Sequence, residues 1–282
     1  HRLGYHSDAA LRSEHQWMNF LGRNGIAVPH VLPTDGGDFL VHVGLPNLQA
    51  RWQVDLLTWL DGRPFGRNGV ALTMLPHEIA ETFGALGRTI AKMHNATARW
   101  TLPENFERHA WDFEGFLGPR PVWGVFEDSS FLDDTQRVDI RRARENAVAL
   151  LSRYERSSRN FGMIHADLVR ENVLLGDNGV QTLDFDDAGL GWHAYDIAVA
   201  LYQNREEPDY PLIERAVLDG YRSERHLTDV DLAMLPLFTV LRAFALLGWV
   251  STRVDSDTVQ EIGSHIAGKA WTVACDFLTS TD

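Results

Sequence analysis

The stretch His165-Ala166-Asp167-Leu168-Val169-Arg170-Glu171-Asn172-Val173-Leu174-Leu175, followed by Leu183-Asp184-Phe185-Asp186-Asp187, constrains this chain more than any other. Val173 to Leu175 reads as a short buried strand. The turn Gly176-Asp177-Asn178-Gly179 separates it from a second apolar stretch, Val180 to Leu183. Two strands joined by that turn form a hairpin with Asn172 at its entry and Asp184 at its exit, so both oxygen-bearing side chains fall at one edge of the sheet. A hard cation such as Mg²⁺ takes a few protein oxygens of this kind and fills its other positions with water and phosphate. Asp167 stands beside them on a short loop, placed to accept a proton from a hydroxyl nucleophile. A lone His-x-Asp says little, and Asp and Asn are ordinary turn formers. The combined pattern of His, Asp, Asn and a later apolar-Asp-Phe-Asp between strand-like runs is far more restrictive.

This is the spacing of a kinase catalytic loop and its metal-binding aspartate. The stretch resembles the aminoglycoside phosphotransferase-like kinases. That group includes aminoglycoside, choline, homoserine and fructosamine kinases and a bacterial branch acting on protein Ser/Thr. The loop there reads H-x-D-x-x-x-x-N, and His165, Asp167, Asn172 and Asp184-Phe185 fill its places. Asp196-Ile197-Ala198 resembles the family's Asp-Leu-Ala. The resemblance runs from about Arg2 to Leu201 and is densest from His165 to Ala198.

The resemblance implies an α+β, two-lobed protein-kinase-like fold, with a small antiparallel N-lobe over residues 1–60 and a larger, mostly helical C-lobe over 61–282. It implies ATP and Mg²⁺ as cofactors. Asp167 would be the catalytic carboxylate, and Asn172 and Asp184 metal ligands. From the residues themselves, Asp186 and Asp187 are candidates to bind a second ion or face the acceptor, and Asp186 is preferred for the metal because it lies on the same side of an extended segment as Asp184. His165 is expected to brace the loop and Asp196 to be structural. Glu14, in a helix over Asp8 to Arg23, takes the place of the glutamate that pairs with a strand lysine at the phosphates. That lysine or arginine, and the glycine-rich loop, are expected upstream of His1, since Arg2 falls too late. Thr58, Trp59 and Leu60 match the segment linking the lobes, whose backbone pairs with adenine; Trp59 reads equally as a packing aromatic.

Composition narrows the partners. A formal net charge of -13 excludes nucleic acid as the main partner, because phosphate backbones need basic surface. The same charge suits a cationic amine, although many proteins are acidic for solubility. A single cysteine, Cys275, rules out a disulfide within the chain and fits a reducing, cytoplasmic setting. The most apolar stretch, Val230 to Val250, contains Asp231, Pro236 and Arg242 and reads as a buried core helix, not a membrane span.

Elsewhere, strands are expected at Val28–Leu32, Phe39–Val43 and Trp52–Leu60, with a turn at Gly44-Leu45-Pro46-Asn47. Helices are expected at Pro76–Ala98, Asp133–Arg156, Pro211–Arg225, Asp229–Val250 and Thr258–Leu278. Arg99 to Ser130, rich in aromatics and acids, reads as loops that pack or that contribute to an acceptor pocket. The activity expected is transfer of the ATP γ-phosphate to a hydroxyl of a small amine, amino acid or sugar. Val169 stands where protein kinases carry a lysine, which disfavours a conventional protein kinase. The alternatives are a kinase-like binding module without catalysis and the bacterial protein Ser/Thr kinase branch. A metal-dependent hydrolase finds no support, as no H-E-x-x-H is present.

Overall fold

The computed structural model describes residues 1, 4–44, 51–177 and 179–281. Arg2, Asn178 and the expected turn residues Leu45, Pro46 and Asn47 lie outside them. In chain order the elements are α1 (Asp8–Arg23), β1 (Val41–Gly44), β2 (Arg51–Val54), β3 (Arg63–Pro64), α2 (Pro76–Thr97), β4 (Ala110–Trp111), α3 (Phe113–Leu117), α4 (Asp134–Leu151) and β5 (Phe161–Ile164). A single 3₁₀ turn (Arg170–Asn172) precedes β6 (Val173–Gly176), β7 (Gly179–Thr182), β8 (Gly189–Trp192), α5 (His193–Tyr202), α6 (Tyr210–Arg222), α7 (Asp229–Ala233), α8 (Leu235–Ser251) and α9 (Asp257–Thr281).

The chain packs as two units. One holds His1–Arg108, Met163–Gly189 and Glu206–His226; the other holds the remainder.

In the first unit, α1 starts where the Ser7 hydroxyl accepts the Ala10 amide at 3.0 Å and its Leu11, Trp17 and Leu21 face is fully buried. Trp17 meets Phe185 edge-on at 5.4 Å, and Phe185 lies 4.6 Å from the His165 ring. The residue after the expected metal aspartate is thus wedged into the core. Helices α2 and α6 cross at glycines. A Cβ on Gly87 would strike the Val217 carbonyl, and one on Gly220 the Gly84 carbonyl. Gly87→Ala therefore forces the two backbones apart, and alanine's better helix propensity, about 1 kcal/mol, does not offset the overpacking. We expect a loss of about 1–3 kcal/mol in urea unfolding, with ATP turnover per folded molecule unchanged.

The β6–β7 hairpin is flanked on both edges. β3 pairs with β6 (Arg63↔Leu175, Pro64↔Leu174), and the Thr182 amide donates to Ala27 O at 3.0 Å. The second unit is built around α8, apolar on all sides and packed against α5 and α9. Trp111, Phe116 and Tyr195 cluster beside it, and Phe126 stacks on Phe244 at 4.4 Å.

Three expectations need correction. Residues 28–32 form only an isolated bridge, Val31↔Leu57, because Pro29 and Pro33 remove the amides a ladder needs. The β1–β2 ladder takes the third expected strand only as far as Val54, and beyond it Leu57 makes just the isolated bridge to Val31. The helix expected over Asp229–Val250 breaks at Met234, where Pro236 restarts it as α8. No helix among the described residues is long and apolar enough to cross a membrane.

Candidate active site

The hairpin register fixes the site. Val173 faces Thr182, and one step further out the Leu183 amide donates to Asn172 O at 2.9 Å. Asn172 and Leu183 are thus opposite one another, with Asp184 next in line. Asn172 donates Nδ2 to both Asp167 O and Asp167 Oδ2, each at 2.9 Å. The asparagine's amide nitrogen therefore holds Asp167 by both its backbone and its side chain.

His165 is buried and accepts the Asp167 amide at Nδ1 (3.4 Å), so Nε2 carries the proton it donates to Leu183 O at 2.9 Å. It ties the loop bearing Asp167 to the strand end before Asp184. Ala166 (φ 65°) and Asp184 (φ 58°) both adopt the left-handed backbone region, which disfavours a Cβ by about 1–2 kcal/mol. Two such residues beside these groups place backbone strain at the site.

Asp184 is exposed at its surface, with protein crowded behind the carboxylate. This desolvation raises its pKa, and the facing Asp167 and Asp186 carboxylates raise it further. Asp186 behaves oppositely. Its burial alone would raise its pKa, but His6, at 3.3 Å from Oδ1, together with His1 and Arg108 outweighs this and holds it low. Asp187 accepts the Tyr5 hydroxyl at 2.6 Å.

Glu14 is buried, and burial raises its pKa against the pull of Arg108. Arg108 Nη1 pairs with Glu14 Oε2 at 3.0 Å, and its other nitrogens donate to the Ala188, Phe185 and Asp186 carbonyls. Glu14 thereby reaches the backbone after Asp184 through an arginine that the sequence reading missed. Arg108 falls in a stretch read as loop, and nothing in its local pattern marks it. Arg170 was missed too, although it lies inside the motif, directly after the apolar pair Leu168-Val169.

Thr58 donates its amide to His30 O at 2.8 Å and accepts the His30 amide at Oγ1. Trp59 is 87 % exposed, so it is not a packing aromatic. Leu60 is half-buried, and Asp196 is fully buried in α5. Trp111, Phe116, Trp123 and Phe126 are core residues of the second unit. Cys275 is half-buried; burial and the neighbouring Asp139 raise its pKa, which disfavours the reactive thiolate.

Near α1, His1 Nε2 and His15 Nε2 lie 3.0 and 2.6 Å from Asp55 Oδ2. The hydrogen bond to Asp55 raises the His1 pKa. Burial alone would raise that of Asp55, but the two histidines hold it well below the carboxylate range. For His1, the linked stability is full below about 6.5 and fades as pH rises through its raised folded value. For Asp55 it is full above about 4 and is lost as pH falls toward its depressed folded value. The wild-type melting temperature is expected to be highest between these limits. Asp55→Asn should flatten that profile in a pH series of melting curves, and an unchanged profile would exclude the coupling.

The profile of the phosphotransferase enzyme family matches residues 1–229. The chain belongs to that family. Amicoumacin kinase of Bacillus subtilis is 26% identical over 273 residues, covering 89% of this chain and 72% of its own length. Homoserine kinase of Gluconobacter oxydans is 28% identical over 256 residues, 80% of either chain. The solved structure of a microcompartment-associated aminopropanol kinase is 29% identical, with a TM-score of 0.86 over 100% of this chain and 85% of its own. The fold is therefore the α+β kinase-like fold of this phosphotransferase family, and the enzyme is a kinase that moves a phosphoryl group to a hydroxyl of a small molecule.

Proposed function

We propose that this kinase transfers the γ-phosphoryl group of ATP to the hydroxyl of a small amino alcohol or hydroxylated amino acid. The observation that carries the reading is the Asn172 bridge. One amide holds the Asp167 carboxylate while its oxygen and Asp184 share the hairpin edge. Residues 1–60 supply the nucleotide side in this reading, and 61–282 the catalytic loop, cation site and acceptor pocket.

The donor set suits a divalent cation. Oxygens of Asn172 and Asp184, with Asp186 beside them, form an all-oxygen group of the kind Mg²⁺ takes. Desolvation and the facing Asp167 and Asp186 carboxylates raise the Asp184 pKa, and a cation would relieve the repulsive part of that cost. When bound, Mg²⁺ would neutralise charge on the phosphates. Asp167 orients the acceptor hydroxyl and takes its proton as the oxygen attacks phosphorus, and Asn172 keeps Asp167 in that orientation. His165 holds the loop against the strand that leads to Asp184. Glu14 acts on the nucleotide side through Arg108, and Thr58 to Leu60 offer backbone groups to adenine. Because the transition state is loose, positioning and charge neutralisation account for most of the rate.

An amine-bearing acceptor is supported by the chain's acidity and by two relatives whose named substrates, homoserine and aminopropanol, join an amine to an alcohol. ADP release with Mg·ATP and a panel of aminopropanol, homoserine, choline, aminoglycosides and sugars tests this. Stimulation by the small amino alcohols is expected. Stimulation by sugars alone would overturn the acceptor class.

A further inference from the structure

We propose that Arg170 is a positioning residue for phosphoryl transfer, aiming the turn that carries Asp167 and Asn172 through a buried pair with Glu207. The inference rests on the roles proposed for those two residues. Arg170 opens the 3₁₀ turn, two residues before Asn172, and is 3 % exposed. Its Nη2 lies 2.5 Å from Glu207 Oε1, and its Nη1 donates to Val70 O at 2.8 Å. Glu207 also accepts the Leu72 amide at 3.2 Å. The arginine stem runs under Gly66, where a Cβ would come within 2.9 Å of Arg170 Cδ. The adjacent Glu171 accepts the Asn68 amide. Residues 66–72 and Glu207 thus grip the turn from outside.

That grip matters because it reaches the turn from outside, adding to the bonds the turn makes within itself. Within it, the Val169 amide reaches Asp167 O and the Asn172 amide reaches Val169 O. Asn172 Nδ2 joins the turn to Asp167, so a pivot of the turn would swing Asp167 and Asn172 together. A buried ion pair is a poor means to stability alone, since apolar residues of similar volume serve as well or better. What it adds is direction. The planar guanidinium forks between Glu207 and the Val70 carbonyl, and a lysine has no such fork.

The test measures kcat and KM for ATP by ADP release, basal and with any acceptor the panel yields, for Arg170→Met, Arg170→Lys and Glu207→Gln. Gly87→Ala serves as a destabilised control and Asp167→Asn as the reference. The first and third variants should lose about 10- to 100-fold in kcat with KM for ATP nearly unchanged. Arg170→Lys should fall between them and wild type, and Gly87→Ala should keep its kcat. Unchanged kcat per folded molecule in Arg170→Met, or a loss that Gly87→Ala reproduces, overturns the proposal. Should Arg170→Met fail to fold, Glu207→Gln, which keeps its shape and an acceptor oxygen, decides in the same way. An inactive Asp167→Asn beside a fully active Glu207→Gln removes the clamp alone. An active Asp167→Asn removes the parent reading and the clamp with it.

Discussion

An Asp184→Asn protein is expected to lose phosphoryl transfer by about 10³-fold or more and to melt at a higher temperature than wild type at pH 7. Asparagine is the right replacement because it tolerates the left-handed backbone at φ 58°, where alanine would add its own cost. The two effects have one cause. Desolvation and the facing Asp167 and Asp186 raise the Asp184 pKa, so the folded protein disfavours the charged form more than the unfolded chain does. Such a group favours folding only when protonated. The gain on replacing it is therefore present above its folded pKa and vanishes as pH falls through that value. Coupled ADP-release kinetics and melting curves at pH 7 and 4 check both halves. A variant that keeps its rate contradicts the role, and one equally destabilised at both pH values contradicts the repulsion.

Asp167→Asn is expected to reduce kcat by about 10²- to 10⁴-fold, the range for loss of a positioned general base, with KM for ATP little changed. The amide oxygen still accepts the Asn172 Nδ2–H, so the loop should keep its shape. The two variants separate by their metal response. Raising the Mg²⁺ concentration should recover part of the activity of a protein whose cation grip is weakened. It should recover none in Asp167→Asn, whose defect is in proton transfer. Recovery in Asp167→Asn would reassign that carboxylate to the cation.

Much of the site could be read from sequence because it is local. Asn172 and Asp184 are brought together by one hairpin whose turn and alternation are written in adjacent residues, and the register Val173↔Thr182 follows from them. The long helices were equally plain: α1 and α2 carry their apolar stripes and N-terminal signals in the chain itself. What was missed depends on long-range partners. Arg108 meets Glu14 and the backbone after Phe185 from a loop far away in sequence, and Arg170 finds its partner Glu207 37 residues further along the chain. The two-residue strand Ala110–Trp111, which pairs in parallel with Gly189–Trp192, has no periodicity to detect. The helix break at Met234 was visible in Pro236, but the apolar run around it outweighed the proline in the reading.

The account turns on whether Asn172 and Asp184 hold one divalent ion beside the nucleotide, and this can be measured without knowing the acceptor. Electron paramagnetic resonance titration of Mn²⁺, with the non-hydrolysable analogue AMP-PNP present, reports that ion directly. Wild type is expected to bind it tightly, Asn172→Ala and Asp184→Asn at least about 10-fold more weakly, and Asp167→Asn nearly as wild type. Equal Mn²⁺ affinity in wild type, Asn172→Ala and Asp184→Asn would contradict the account.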